Sequence, residues 1–386
     1  MSAAAQSAES APFGGLPVAW RFPLLFLGML SLLAGLAAGL LRAGWLLPSM
    51  TANWPPLHAP LMIGAFFGTV IGLERAVALG RGWGYFSPLA AGSGGILLLA
   101  GGPPLIGLLL LAAGALILVL ATLRAAQRQP SLHAYVLAVA ASLAVLAPLT
   151  WLAGRPDVGV VAWMAFLVLT IAGERLELSR FLPPSPWARR LFIVIVGVLL
   201  AAVPAVAVAV GTSGMRLLGC ALIALACWLL RQDVARRTVR QRGLVRFIAV
   251  CLLSGYAWLL IGGLVLVVQP VSGFFMDAAL HAVFVGFVLA MVFGHAAIIF
   301  PAVVRVALPY HAGFYLPLLM LHASLLLRVV GGLAGSASGR ALGAAGNAAA
   351  LLLFVAIMVA TAIRGRRRTR AADAAGGPQG GVSRPG

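Results

Sequence analysis

Lysine is absent from this chain and acidic residues nearly so: 8 Asp and Glu stand beside 27 basic residues, all of them arginine, in 386 residues. Only 9% of the sequence is charged, 62% is hydrophobic and the mean hydropathy is +1.06. No ordinary water-soluble domain reaches such values, which excludes a soluble enzyme. Cysteine is equally scarce. Cys220, Cys227 and Cys251 form no CxxC pair and no CxxCH haem-attachment site, and the seven-residue spacing of the first two suits packing on one helix face. There is also no Walker loop, HExxH, Gly-rich dinucleotide signature or Ser/His/Asp arrangement. Histidine is left to carry any chemistry.

Long apolar runs are what the chain has in plenty. A helix needs about 20 apolar residues to cross a bilayer, and such runs lie near 22–41, 57–79, 84–101, 104–123, 131–153, 158–178, 191–210, 214–230, 244–268, 277–300, 312–331 and 342–363. The expectation is an all-α polytopic membrane bundle of 12 spans. Arginine placement tests this count, because cytoplasmic segments hold the excess of positive charge. With the N-terminus inside, 22 of the 27 arginines fall on inner segments, leaving Arg42, Arg155, Arg216, Arg328 and Arg340 outside. Both termini are therefore expected in the cytoplasm, in a bacterial inner membrane. Spread over seven inner segments, the arginines form a topology signal and not a nucleic-acid face.

No linker divides the membrane region, so residues 1–19 read as a short cytoplasmic segment, 20–363 as one helical domain, and 364–386 as a basic, disordered tail. The tail opens on RGRRRTR, which suits an anchor at anionic lipid. IGLERAVAL in span 2 is echoed by IAGERLELSR in span 6. Glu74, Glu174 and Glu177 are there either neutralised by arginines at a membrane boundary or carboxylates that admit protons. Gly64, Gly68 and Gly72 form a small-residue ridge suited to a close helix contact.

The stretch LHAVFVGFVLAMVFGHAAIIFP carries two histidines in an oily span, where an ionisable group is costly. His281 lies about one turn below the outer surface. His295 is 14 residues further in, roughly 21 Å along the axis, so the two cannot share one ion. His58, in LHAPLMIG, starts another outside-to-inside span at the depth of His281. Two imidazoles at equal depth on different helices either clamp a haem iron from both faces or hydrogen-bond between helices. Arg42 and Arg328 occupy the level at which haem propionates would emerge. His295 and His322 form a weaker pair for a second haem or a copper ion. His133 sits at a helix start and His311 in a PYHAGF loop, both suited to exposure.

Histidines on the second and tenth of 12 spans near the outer face resemble subunit I of the haem-copper oxidases, and Met62 follows His58 by four residues as that family's ligand is followed by a methionine. The segments RFPLLFLGML, LHAPLMIGAFFGTVIGLERAVAL and LHAVFVGFVLAMVFGHAAIIFPAV resemble the related NnrS-type membrane proteins. The resemblance implies a subunit-I-like bundle holding a b-type haem on His58 and His281. It also implies a role in nitric oxide response or denitrification, with a respiratory electron donor or a nitrogen-oxide enzyme as partner. The chain departs from the oxidases where it has Ala279 in place of a second span-10 histidine, and it lacks histidines in spans 6 and 7 for copper. Oxygen reduction and proton pumping by the oxidase mechanism are not expected. A secondary transporter and a non-catalytic assembly factor remain the alternatives, although no half-repeat and no matched pair of interrupted helices supports transport.

Overall fold

The computed structural model describes residues 15–48, 51–178, 184–208, 212–268, 273–306 and 308–375, the last ten without side chains. Arg180, Arg384 and residues 1–14, which entered the sequence expectations, lie outside them. Among the described residues the regular structure is helical, as apolar runs in lipid require, since every backbone group must be satisfied within its own segment.

The helices are α1 (Val18–Arg42), α2 (Pro60–Leu79), α3 (Phe86–Leu99), α4 (Pro104–Arg128), α5 (Leu132–Leu152) and α6 (Pro156–Leu178). There follow α7 (Pro186–Val208), α8 (Ser213–Gln232), α9 (Gly243–Val268), α10 (Gly273–Val304), α11 (Tyr315–Leu333) and α12 (Ala337–Ala375). Among the described residues, eleven are long and apolar enough to cross a membrane, the exception being α3.

Helix α3 has 14 residues, about 21 Å of rise against the roughly 30 Å of a hydrocarbon core. The sequence reading gave it the run 84–101. A tight turn, Gly82–Tyr85, takes its start, and Gly101 at φ +75° ends it in a conformation that only glycine adopts cheaply. The glycines of α3 serve close approach: a Cβ on Gly95 would fall 2.4 Å from the Ala65 Cβ of α2. The ridge of α2 works in the same contact, because a Cβ on Gly72 would meet Ser87 and Pro88, and one on Gly68 would meet Ala91. Gly64 instead faces Leu111 and Trp163.

Helix α6 lies at the centre. Every residue from 161 to 170 is buried, which is the pattern of a helix apolar on all sides. Cross-links tie matching helix ends together. At one end Arg21 donates to the Val303 carbonyl at 2.7 Å, Arg75 pairs with Glu174, Arg175 pairs with Asp233 and Trp228 donates to the Ala188 carbonyl at 2.8 Å. At the other end Arg155 donates to the Ala207 carbonyl, Arg328 pairs with Asp277 and Arg340 donates to the Arg42 and Ala43 carbonyls. The first set is the arginine-rich end and the second the arginine-poor end. The echoed Glu-Arg pairs thus meet across helices, Arg75 of α2 on Glu174 of α6. At the C-terminus α12 continues to Ala375, so RGRRRTR begins as helix where the sequence suggested a disordered tail; residues 376–386 lie outside the described residues.

Candidate functional site: a facing histidine pair

Helices α2 and α10 both open at the arginine-poor end, and both depart from α-helical winding just after a histidine. His58 closes the turn Pro55–Leu57 and is followed by a π-helical segment, Pro60–Phe67. His281 ends a regular stretch and is followed by a π-helical segment, Ala282–Leu289. Pro60 explains part of the first, because proline donates no backbone hydrogen bond and its ring crowds the preceding turn. Wide turns of this kind gather at functional sites.

The two imidazoles face each other with ring centres 6.2 Å apart and planes 24° from parallel. His58 Nδ1 lies 2.8 Å from the Gly35 carbonyl of α1, and His281 Nδ1 lies 2.8 Å from the Asp277 carbonyl one turn earlier in α10. A carbonyl only accepts, so both Nδ1 atoms carry the proton and both Nε2 atoms present a lone pair, the state of a metal ligand. No hydrogen bond reaches either Nε2 among the described residues. Gly39, four residues after Gly35, makes room for His58: a Cβ there would lie 2.8 Å from the ring's Cε1. Gly35 does the same for Met62, at 2.8 Å from its sulfur.

A charged cap covers the pair. Asp277 receives Arg328 bidentately at 2.9 and 2.8 Å, stands 3.4 Å from His281 Nδ1 through Oδ1, and has Arg340 at 3.9 Å. Arg340 also stacks over the Phe274 ring at 4.8 Å. Its Nε is buried with no acceptor among the described residues. An unpartnered guanidinium donor beside the pair is placed to take an acceptor oxygen.

The ring-centre spacing matches that of two imidazoles on opposite sides of one ion. A ring nitrogen binds a metal at about 2.0–2.1 Å and stands about 1.1 Å from its ring centre, so two rings on opposite sides of one ion have centres about 6.3 Å apart. Ions held by protein alone take about four or more ligands. Among the described residues no group of three or more His, Cys, Asp or Glu side chains converges. Two imidazoles would suffice only where a bound group supplied the remaining ligands.

Sequence and structure part company over the arginines and the second site. Arg328 was expected at the propionates, but its guanidinium is committed to Asp277. Arg42 extends exposed from the end of α1. Arg340 and Asp277 were missed as site residues; a lone acid four residues before a histidine in an apolar run was the available signal. Nor does the structure support the weaker pair. His322 Nδ1 accepts from Trp258 Nε1 at 3.0 Å and its Nε2 donates to Ser254 Oγ at 2.9 Å, so neither nitrogen is left for a metal. His295 keeps Nδ1 on the Met291 carbonyl at 2.8 Å. His133 Nε2 contacts Ser131 Oγ at 3.2 Å and His311 Nδ1 accepts the Gly313 N–H at 2.9 Å, both local helix-end contacts. Cys220 and Cys227 are exposed and Cys251 is buried.

Fold and composition together define a multi-pass helical membrane protein. Residues 21–363 match a family described as Domain of unknown function (DUF8744), and the chain belongs to that family. No curated protein and no solved structure matches it.

Proposed function

We propose that this chain is a haem protein of the bacterial inner membrane, of the NnrS and oxidase-subunit-I type, acting in nitrogen-oxide metabolism or membrane electron transfer. The observation that carries the reading is the 6.2 Å spacing of His58 and His281 with both Nδ1 protons donated to main-chain carbonyls. In this reading α3 counts as a short crossing, giving 12 spans with both termini in the cytoplasm and the pair near the outer surface.

A bound haem of b type supplies one-electron chemistry. His58 and His281 would hold it from two helices, with the Gly35 and Asp277 carbonyls fixing their tautomers and the unpartnered Arg340 Nε placed to meet a propionate. Held by an imidazole from each of two helices, such a group would suit electron transfer or sensing better than substrate turnover. Nitric oxide would bind only on displacing one imidazole. The partner that fits is a respiratory electron donor reaching the outer face.

The test is the visible spectrum of purified protein, oxidised and reduced, beside His58→Ala and His281→Ala. A Soret band with sharp reduced bands, lost in both variants, is expected. A colourless protein from haem-replete cells overturns the reading and leaves solute transport or an assembly role.

A further inference from the structure

At the arginine-rich end, far from the histidine pair, an open cleft of about 370 Å³ lies between the start of α9 and the segment joining α10 to α11. Arg242, Gly243, Arg246, Val250, Tyr310 and Tyr315 line it. Its volume falls within the range of small-ligand sites.

Its lining is chemically one-sided. Both arginines are exposed, no acidic residue lines the cleft, and no ion pair among the described residues involves either guanidinium. Elsewhere at this end Arg75 and Arg175 each have a carboxylate on a neighbouring element. Arg242 and Arg246 are four residues apart across the first turn of α9, where unpaired backbone N–H groups add to the positive field.

The phenols are held by a fixed aromatic floor. Tyr315 meets the fully buried Phe247 ring edge-on at 5.1 Å, Tyr310 lies 6.4 Å from it, and Phe314 packs at 5.8 Å. From the charged rim the cleft reaches down α9 to Val250, about two turns into the apolar stretch. A basic rim, hydroxyl donors and an apolar lower wall match an amphiphile lying parallel to the helices. Arginine forks take phosphate oxygens in pairs, tyrosines settle at the headgroup level, and basic pockets between membrane helices hold phospholipid headgroups.

We infer that this cleft binds the headgroup phosphate of an anionic phospholipid, gripped by Arg242 and Arg246, with an acyl chain along Val250. The site is independent of the histidine pair and stands whether or not haem is bound.

The experiment is native mass spectrometry of the full chain released from nanodiscs of phosphatidylglycerol and phosphatidylcholine in equal parts. Wild type is expected to retain one phosphatidylglycerol at least tenfold more often than an Arg242→Gln, Arg246→Gln double variant. Val250→Trp, which fills the cleft without changing charge, should lower retention similarly and keeps the test decisive if the double variant does not fold. Equal loss in an Arg236→Gln, Arg237→Gln control at the same end overturns the site in favour of general surface charge. Inorganic phosphate displacing the retained lipid at low millimolar concentration overturns the lipid assignment in favour of a free anion.

Discussion

A histidine in an apolar helix can satisfy one ring nitrogen on the carbonyl four residues back, and the fate of the other decides what it can do. His281 and His295 both make that local bond, at 2.8 Å, whereas His322 spends both nitrogens on Trp258 and Ser254. Of these three, His281 is the one with a facing imidazole. The residue beneath it, Asp277, does two separable things: its carbonyl fixes the His281 tautomer, and its carboxylate gathers Arg328 and Arg340. Asp277→Asn keeps the first and loses the second. If the pair holds haem as proposed, we expect its reduced bands to persist and its midpoint potential to rise because a negative charge beside His281 has gone; in either case stability should drop by about 2–4 kcal/mol as buried guanidiniums lose their partner. Redox titration and thermal unfolding check the two effects. A variant that loses its spectrum would show that the carboxylate, and not the carbonyl, holds the ring.

At the scale of the element, the winding of α2 and α10 aims the two histidines. A π turn carries an extra residue, so the segments Pro60–Phe67 and Ala282–Leu289 offset the phase of each histidine against the rest of its helix. Deleting Ile63 should restore α-helical winding and shift His58 from its present phase relative to the lower half of α2. Loss of the Soret band in a folded, membrane-inserted protein is expected, and a full spectrum would show that the winding does not aim the ligand. Helix directions and the common depth of His58 and His281 were legible in the sequence because arginines mark alternate ends and rise per residue is constant. Winding was not, since hydropathy has no signature for a π turn. Neighbours were not legible either: lipid-facing and protein-facing sides of an apolar helix look alike, so the partners of Arg328 and His322 could not be named. The shortness of α3 was hidden because its apolar run continues through Ala100 to Gly101 with no change in hydropathy, although the helix itself stops at Leu99.

For the whole molecule, one buried carboxylate just outside the spans binds the arginine-rich end together. Asp233, immediately beyond α8, takes Arg175 of α6 at 2.6 and 3.0 Å, Tyr256 of α9 at 2.7 Å and the Ala235 N–H at 2.7 Å. Burial pushes its carboxyl up, but these donors and the Arg175 charge outweigh burial and hold it below the ordinary value of 3.8. A depressed carboxyl stabilises the fold above its unfolded-state value, and that contribution disappears as pH falls through the folded value. The part of the thermal stability that Asp233 contributes should therefore be constant from neutral pH down to about 4 and be lost below it. Asp233→Asn should be less stable by about 3–5 kcal/mol at neutral pH and lack that part of the acid dependence. Identical acid limbs in the two proteins would assign it elsewhere.

The position of the histidine pair along the bundle sets what the membrane potential can do to it. If the pair holds haem about a turn inside one surface, as proposed, that centre would cross only about a fifth of the field, so 100 mV would bias an electron arriving from that side by roughly 0.4 kcal/mol. Exchange with a partner on the same side moves almost no charge across the bilayer. Such a centre would neither generate a proton-motive force nor be held back by one, and would work alike in energised and de-energised cells.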